Sequence, residues 1–239
     1  MSTNESLAGQ TVLVIGRAGG LAGAIAQASR AGGAEVIVAG RNSDALTEAY
    51  ADVPGVRVLG VDLTDDASIR SLAEQVGEVD HVVSTASARA RGTVDSLQRD
   101  AIRQSFDTKV IGPLMLAQAF QGRIRRSLLL FSGVAAFKVH VGTLGVAITN
   151  AAAAALAQSL AVELAPVRVN ALSPGVIDTG AWDALGEDGK AAYFAEKTET
   201  NPARRIGTAE DVAQAAIAAL TNTFMTGVTL HVDGGERLI

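Results

Sequence analysis

Two stretches of the chain carry residues suited to holding a nucleotide. The first, "VIGRAGGLAGAIAQ" from Val14 to Gln27, sets Gly16 and Gly20 where a β-strand would give way to a helix. Glycine there permits a tight turn and brings the unpaired N–H groups of a helix start close to a pyrophosphate. Ala22 fills the third small-residue position and adds only a methyl group. The second stretch, "EVIVAGR", ends on Gly40 and Arg41. An acidic residue in place of Gly40 would bond a ribose 2′-hydroxyl and repel a 2′-phosphate. Arg41 and Arg17 instead offer guanidinium groups suited to bidentate contact with that phosphate. The pattern points to a dinucleotide, with NADP(H) preferred over NAD(H). Asp62 and Leu63 of "VDLTD" would cradle the adenine. The competing reading makes the two arginines solvated surface charges and Asp62 an ordinary strand-end residue.

Groups able to move a proton are few. Lys109, in "FDTKVIGPLMLAQAF", could donate one if burial lowers its pKa; it could equally bind a ribose or be a solvated helix charge. His140, in "FKVHVG", titrates in the right range but stands alone in a loop. Ser132 adjoins Gly133, and strand alternation should turn it to the opposite side. Tyr193 could reach inward from a long polar segment or pack with Phe194. Arg89 and Arg91 could attract an anion or be solvated. His81 and His231 lie in strand-like runs without metal-ligand spacing, so no metal is expected.

These residues must be positioned by alternating elements. Seven apolar, β-branched runs, Thr11 to Gly16, Glu35 to Gly40, Val56 to Val61, Asp80 to Ser84, Ser127 to Phe131, Val167 to Leu172 and Gly227 to Val232, read as strands buried on both faces. Helix-length segments such as Leu21 to Ala31, Asp65 to Val76 and Asp100 to Phe120 lie between them. Such alternation predicts an α/β, doubly wound, seven-stranded parallel sheet with helices on both faces. The ligand then sits beyond the C-terminal strand ends, where strand order reverses. One domain is expected over residues 1–239, with a lid-like segment at about 178–207 that carries Trp182, Tyr193 and Phe194.

Composition narrows the partners. Cysteine is absent, which excludes disulfides and thiol nucleophiles and permits a reducing compartment. The start "MSTNESLAGQ" lacks a secretory pattern, and the expectation is that no apolar stretch approaches the roughly 20 residues that span a bilayer, so a cytoplasmic protein without a membrane is expected. A net charge of −5 with scattered basic residues argues against nucleic acid.

The glycine loop, "VDLTD", "SLAVEL" followed by "VRVNALSPGVIDT", "NPARRIGTAEDVA" and the terminal "GVTLHVDGG" together resemble the short-chain dehydrogenase/reductase family over essentially the whole chain. The resemblance implies a Rossmann-type fold. It also implies that Leu21 and Ala86 join the cofactor-binding set, and that Pro174, Gly175, Ile177 and Thr179 hold the nicotinamide carboxamide. Family members are mostly tetramers or dimers, so a homo-oligomer is implied.

The same resemblance implies departures. The family uses an asparagine, a serine, a proton-donating tyrosine and a lysine four residues after it. Counting back from "SLAVEL", the tyrosine position holds Val146, the lysine position Asn150 and the serine position Gly133; Lys109 stands for the asparagine, and "STAS" from Ser84 to Ser87 replaces the usual "NNAG". The helix from Val146, rich in alanine over Ala151 to Ala155, then reads as a packing element in the core or between subunits. Three functions compete. The first is an NADP(H)-dependent oxidoreductase with an atypical site, acting on a small carbonyl or imine. The second is a non-catalytic NADP(H)-binding sensor or assembly subunit. The third is a non-redox enzyme using the same cleft.

Overall fold

The computed structural model describes residues 6–239. The first half builds β1 (Thr11–Ile15), α1 (Gly20–Ala31), β2 (Glu35–Gly40), α2 (Ser43–Ala49), β3 (Val56–Gly60), α3 (Asp66–Val76) and β4 (Val79–Ser84). The second half builds α4 (Arg99–Phe106), α5 (Gly112–Ala119), β5 (Ile124–Phe131), α6 (Leu144–Glu163), β6 (Arg168–Pro174), β7 (Ile177–Asp178), α7 (Gly186–Thr200), β8 (Gly207–Thr208), α8 (Ala209–Thr221) and β9 (Thr229–Val232).

Seven strands form one parallel sheet in the order β3-β2-β1-β4-β5-β6-β9, as the alternating pattern predicts. Successive side chains of β1 explain why the strands read as continuous apolar runs. Leu13 and Ile15 enter a core layer with Leu72, Leu116 and Phe120, while Val12 and Val14 enter the opposite layer with Ile25, Val212 and Ala216. Each fully buried side chain of this size contributes roughly 1.5–3 kcal/mol. The chain leaves β1 toward β2 on one side and returns to β4 on the other, which opens a crevice at their C-terminal ends. Register brings Ile15 level with Ala39 and Ser84, so the loops after β1, β2 and β4 rise around one space.

The expected helix Asp100 to Phe120 is helical as far as Ala119, but a π-helical turn at Asp107–Ile111 interrupts it between α4 and α5. The widened turn carries Lys109 inward, where it is 8% exposed. At the exit of this turn a side chain on Gly112 would collide with the Leu63 carbonyl oxygen, so glycine lets the helix lie against the end of β3.

One expectation gains detail and one is corrected. The lid-like segment at about 178–207 is strapped at its ends by the short parallel pair β7–β8, Ile177 with Gly207 and Asp178 with Thr208, and contains the 15-residue α7. Strands of two residues leave no periodic signal. An apolar stretch of spanning length does exist. Within the 20 residues of α6 an 18-residue window has a mean hydropathy of 1.4, because alanine fills positions between Asn150, Gln158 and Ser159. That helix packs one face, including Ala153, Ala157 and Leu160, beside β5 and β6.

Candidate functional site

The crevice above β1 and β4 is a cleft of about 880 Å³. Its floor is the glycine loop. Gly20 holds a left-handed φ of 57°, which a side chain would strain. A Cβ on Gly16 would overlap the Thr85 hydroxyl and lie 2.6 Å from Ala22 Cβ, so the strand and the start of α1 meet only because no side chain intervenes. No side chain caps α1 at Gly19, which leaves its first-turn N–H groups without a side-chain acceptor.

Of the sequence-predicted cofactor residues, Gly16, Arg17, Gly20, Leu21, Arg41, Asp62, Leu63, Ala86 and Thr179 line this cleft. Pro174, Gly175 and Ile177 are set back from it. Ile177 is buried in the pairing with Gly207, and Gly175 packs beneath Asp233 and Glu236. Arg17 does not turn toward Arg41; its guanidinium crosses the glycine loop and donates to the Thr179 carbonyl. Asp62 accepts from the Thr64 backbone N–H at 2.9 Å and the Thr64 hydroxyl at 2.8 Å. These bonds, with the Arg41 charge behind them, hold its carboxyl below the usual range. A side chain on Gly40 would collide with the Gly16 carbonyl oxygen, and Arg41 beside it is exposed along the cleft.

Behind the cleft lies a closed polar contact. Lys109 Nζ donates to the Ser132 carbonyl at 2.9 Å and to Asn150 Oδ1. Ser132 Oγ donates to the Asn150 carbonyl at 2.9 Å. A Cβ on Gly133 would lie 2.7 Å from Asn150 Nδ2, so glycine makes room for that amide. The expectation that Ser132 faces away is corrected: β5 ends at Phe131, alternation lapses, and the serine turns to α6. Burial first, and then the Arg89 charge, push the Lys109 ammonium down to about 7. Val146, one turn before Asn150 on α6, is half-buried and brings no proton.

His140 is exposed in the loop before α6, and its backbone pairs with Thr143. It does not line the cleft. Tyr193 stacks on Trp182 at 4.7 Å and on Phe194 at 6.2 Å. Sequence reasoning placed Asn150 but missed it as the partner of Lys109, and it missed Thr85, whose hydroxyl donates to the Ile15 carbonyl at 3.0 Å beneath the glycine loop. A threonine after a strand gives no signal of its own; its register beside β1 does.

Comparison with known proteins agrees with this architecture. Residues 16–236 match the family model described as Enoyl-(Acyl carrier protein) reductase. The short-chain dehydrogenase/reductase ATR9 of Stachybotrys chlorohalonatus is 32% identical, over 98% of this chain and 99% of the relative. The 3-oxoacyl-[acyl-carrier-protein] reductase FabG of Salmonella typhimurium is 28% identical, over 98% and 100%. A crystal structure of a small-chain dehydrogenase in complex with NADPH superposes with a TM-score of 0.85 at 30% identity, covering 96% of this chain and 99% of that one. With sheet order, glycine loop and full-length similarity in agreement, the chain belongs to the short-chain dehydrogenase/reductase family of oxidoreductases.

Proposed function

We propose that the protein is an NADP(H)-dependent oxidoreductase acting on a small carbonyl or imine through an active site that departs from the family pattern. The observation that carries this reading is the junction of Gly40 and Arg41. Contact with the Gly16 carbonyl leaves no space for an acidic side chain at Gly40, and a guanidinium follows at once on the cleft wall. A 2′-phosphate would therefore meet a cation and no carboxylate at that position. The cleft volume falls within the ~300–1,000 Å³ of small-molecule and cofactor sites, and the uncapped start of α1 suits a pyrophosphate. Gly16, Gly20 and Leu21 would hold the phosphates, Arg41 the 2′-phosphate, Asp62 and Leu63 the adenine, and Ala86 and Thr179 the nicotinamide half. Bound NADPH would supply a hydride.

Proton management falls to this chain's own residues. Val146 has nothing to donate. Lys109 near neutrality exists in both protonation states at working pH, the condition under which an acid–base group is most effective. Asn150 and the Ser132 carbonyl hold its amine in one place. Residues 178–207 would act as a lid hinged on β7–β8, within a single domain. Exposed Ile111, Leu114, Leu144, Ile148 and Val162 on α5, α6 and the π turn suit helix-to-helix contact in a dimer or tetramer.

A second reading, a non-catalytic NADP(H)-binding protein, is favoured by the way Lys109, Asn150 and Ser132 satisfy one another. NADPH consumption across a panel of aldehydes, ketones and cyclic imines separates the two. Turnover with at least one compound, reduced about 10²-fold or more in Lys109→Met, supports the oxidoreductase. Tight NADPH binding with no turnover supports the second reading.

A further inference from the structure

We infer that the substrate carries an anionic group, a carboxylate or a phosphate ester, which Arg89 and Arg91 receive against the indole of Trp182; this rests on the oxidoreductase reading of the cleft. The two arginine Cζ atoms lie 5.9 and 5.6 Å from the centre of the Trp182 ring. The indole is itself fixed, donating from Nε1 to the Ile177 carbonyl at 3.0 Å and stacking on Tyr193. Two guanidinium groups are thus gathered around one hydrogen-bonded indole, an arrangement that cation–π attraction permits and mutual repulsion opposes.

No carboxylate answers them. Among the described residues neither arginine forms an ion pair, and four nearby acids have other partners. Asp178 and Asp183 each lie 2.8 Å from Lys190 Nζ, Glu196 pairs with Lys197, and Glu236 accepts from the Val176 backbone N–H. Arg89 reaches solvent, yet the protein around its guanidinium, followed by the Arg91 and Arg17 charges, lowers its pKa from the ordinary value. Its side chain lines the cleft beside Ser87 and Thr108, whereas Arg17 is already bonded to Thr179. An oxyanion between the two forks would relieve their repulsion and accept charge-assisted hydrogen bonds from both.

Trp182 is the single tryptophan of the chain, so its emission reports on this site. The protein saturated with NADP⁺ is titrated with benzoate, phenyl phosphate and the neutral benzamide. A saturable change with benzoate or phenyl phosphate, absent with benzamide, weakened by raised ionic strength and at least about tenfold weaker in Arg89→Met/Arg91→Met, is expected. The stronger of the two anions identifies the group. Should the double variant not fold, Arg91→Gln and the ionic-strength series carry the same comparison. Equal response to benzamide, no saturable response to either anion, or a response lost once NADP⁺ is bound overturns the inference. NADPH binding is measured in parallel. Its failure removes the oxidoreductase reading, whereas intact NADPH binding without an anion response removes only the inference drawn here.

Discussion

Lys109 and Asn150 meet in a buried contact, the lysine Nζ from the π turn donating to the asparagine Oδ1 on α6. In our reading the pair is the family's asparagine and lysine exchanged between two helices, which preserves one donor and one acceptor while moving the charge to the other side.

An exchanged pair should be coupled. Lys109→Asn and Asn150→Lys singly should each destabilise the protein, and the double variant should recover part of the loss. A coupling of about 0.5–3 kcal/mol is expected from chemical denaturation. Strict additivity would show that the two side chains do not act together.

The buried lysine makes stability pH-dependent in a known direction. Its folded pKa is about 7, against an ordinary value of 10.5. Between these the unfolded chain retains the proton and the folded chain does not, so stability contributed by this group rises with pH across that window. Denaturation at about pH 7 and about pH 9 should show wild type gaining on Lys109→Met. Parallel behaviour of the two proteins would argue against a buried, neutralised amine.

Gly133 is needed for its lack of a side chain. A Cβ there would press on the Asn150 amide at 2.7 Å. Gly133→Ala should cost about 1–3 kcal/mol of stability, the range for overpacking. Unchanged stability by thermal melting would mean that the amide yields freely.

His81 supplies a second pH signature at the opposite end of the sheet. It is 1% exposed, with Nδ1 2.7 Å from Ser127 Oγ and Nε2 2.7 Å from Gln10 Oε1. Burial pushes its pKa down to about 4, over the opposing pull of Asp80. The depressed folded value means that stability is complete above the unfolded pKa of about 6.5 and is lost as pH falls toward the folded value, by roughly 3 kcal/mol in total. His81→Gln should lack that part of the acid loss; an identical acid profile would contradict the assignment.

How much of this was legible depends on the range of the interaction. A strand such as Glu35–Gly40, buried on both faces after its first residue, was placed by local composition, and the parallel sheet followed. The glycine loop was legible because backbone geometry at Gly16 and Gly20 admits few residues. What escaped was set by packing. The π turn looks like ordinary helix in sequence, and the inward rotation of Ser132 depends on where β5 stops. The β7–β8 strap joins residues thirty positions apart by two pairs of strand residues. Composition also misled once: α6 reaches spanning length and hydropathy because alanines, which carry no strong apolar signal to the eye, run between its few polar residues.

The most direct test of the account is a side-by-side fluorescence titration with NADPH and NADH, using Arg41→Ala as control. Tight binding of NADPH, weak binding of NADH and a loss of NADPH affinity of about tenfold or more in the variant are expected. Equal binding of both nucleotides, or no binding of either, would contradict an NADP(H) site built on Gly40 and Arg41.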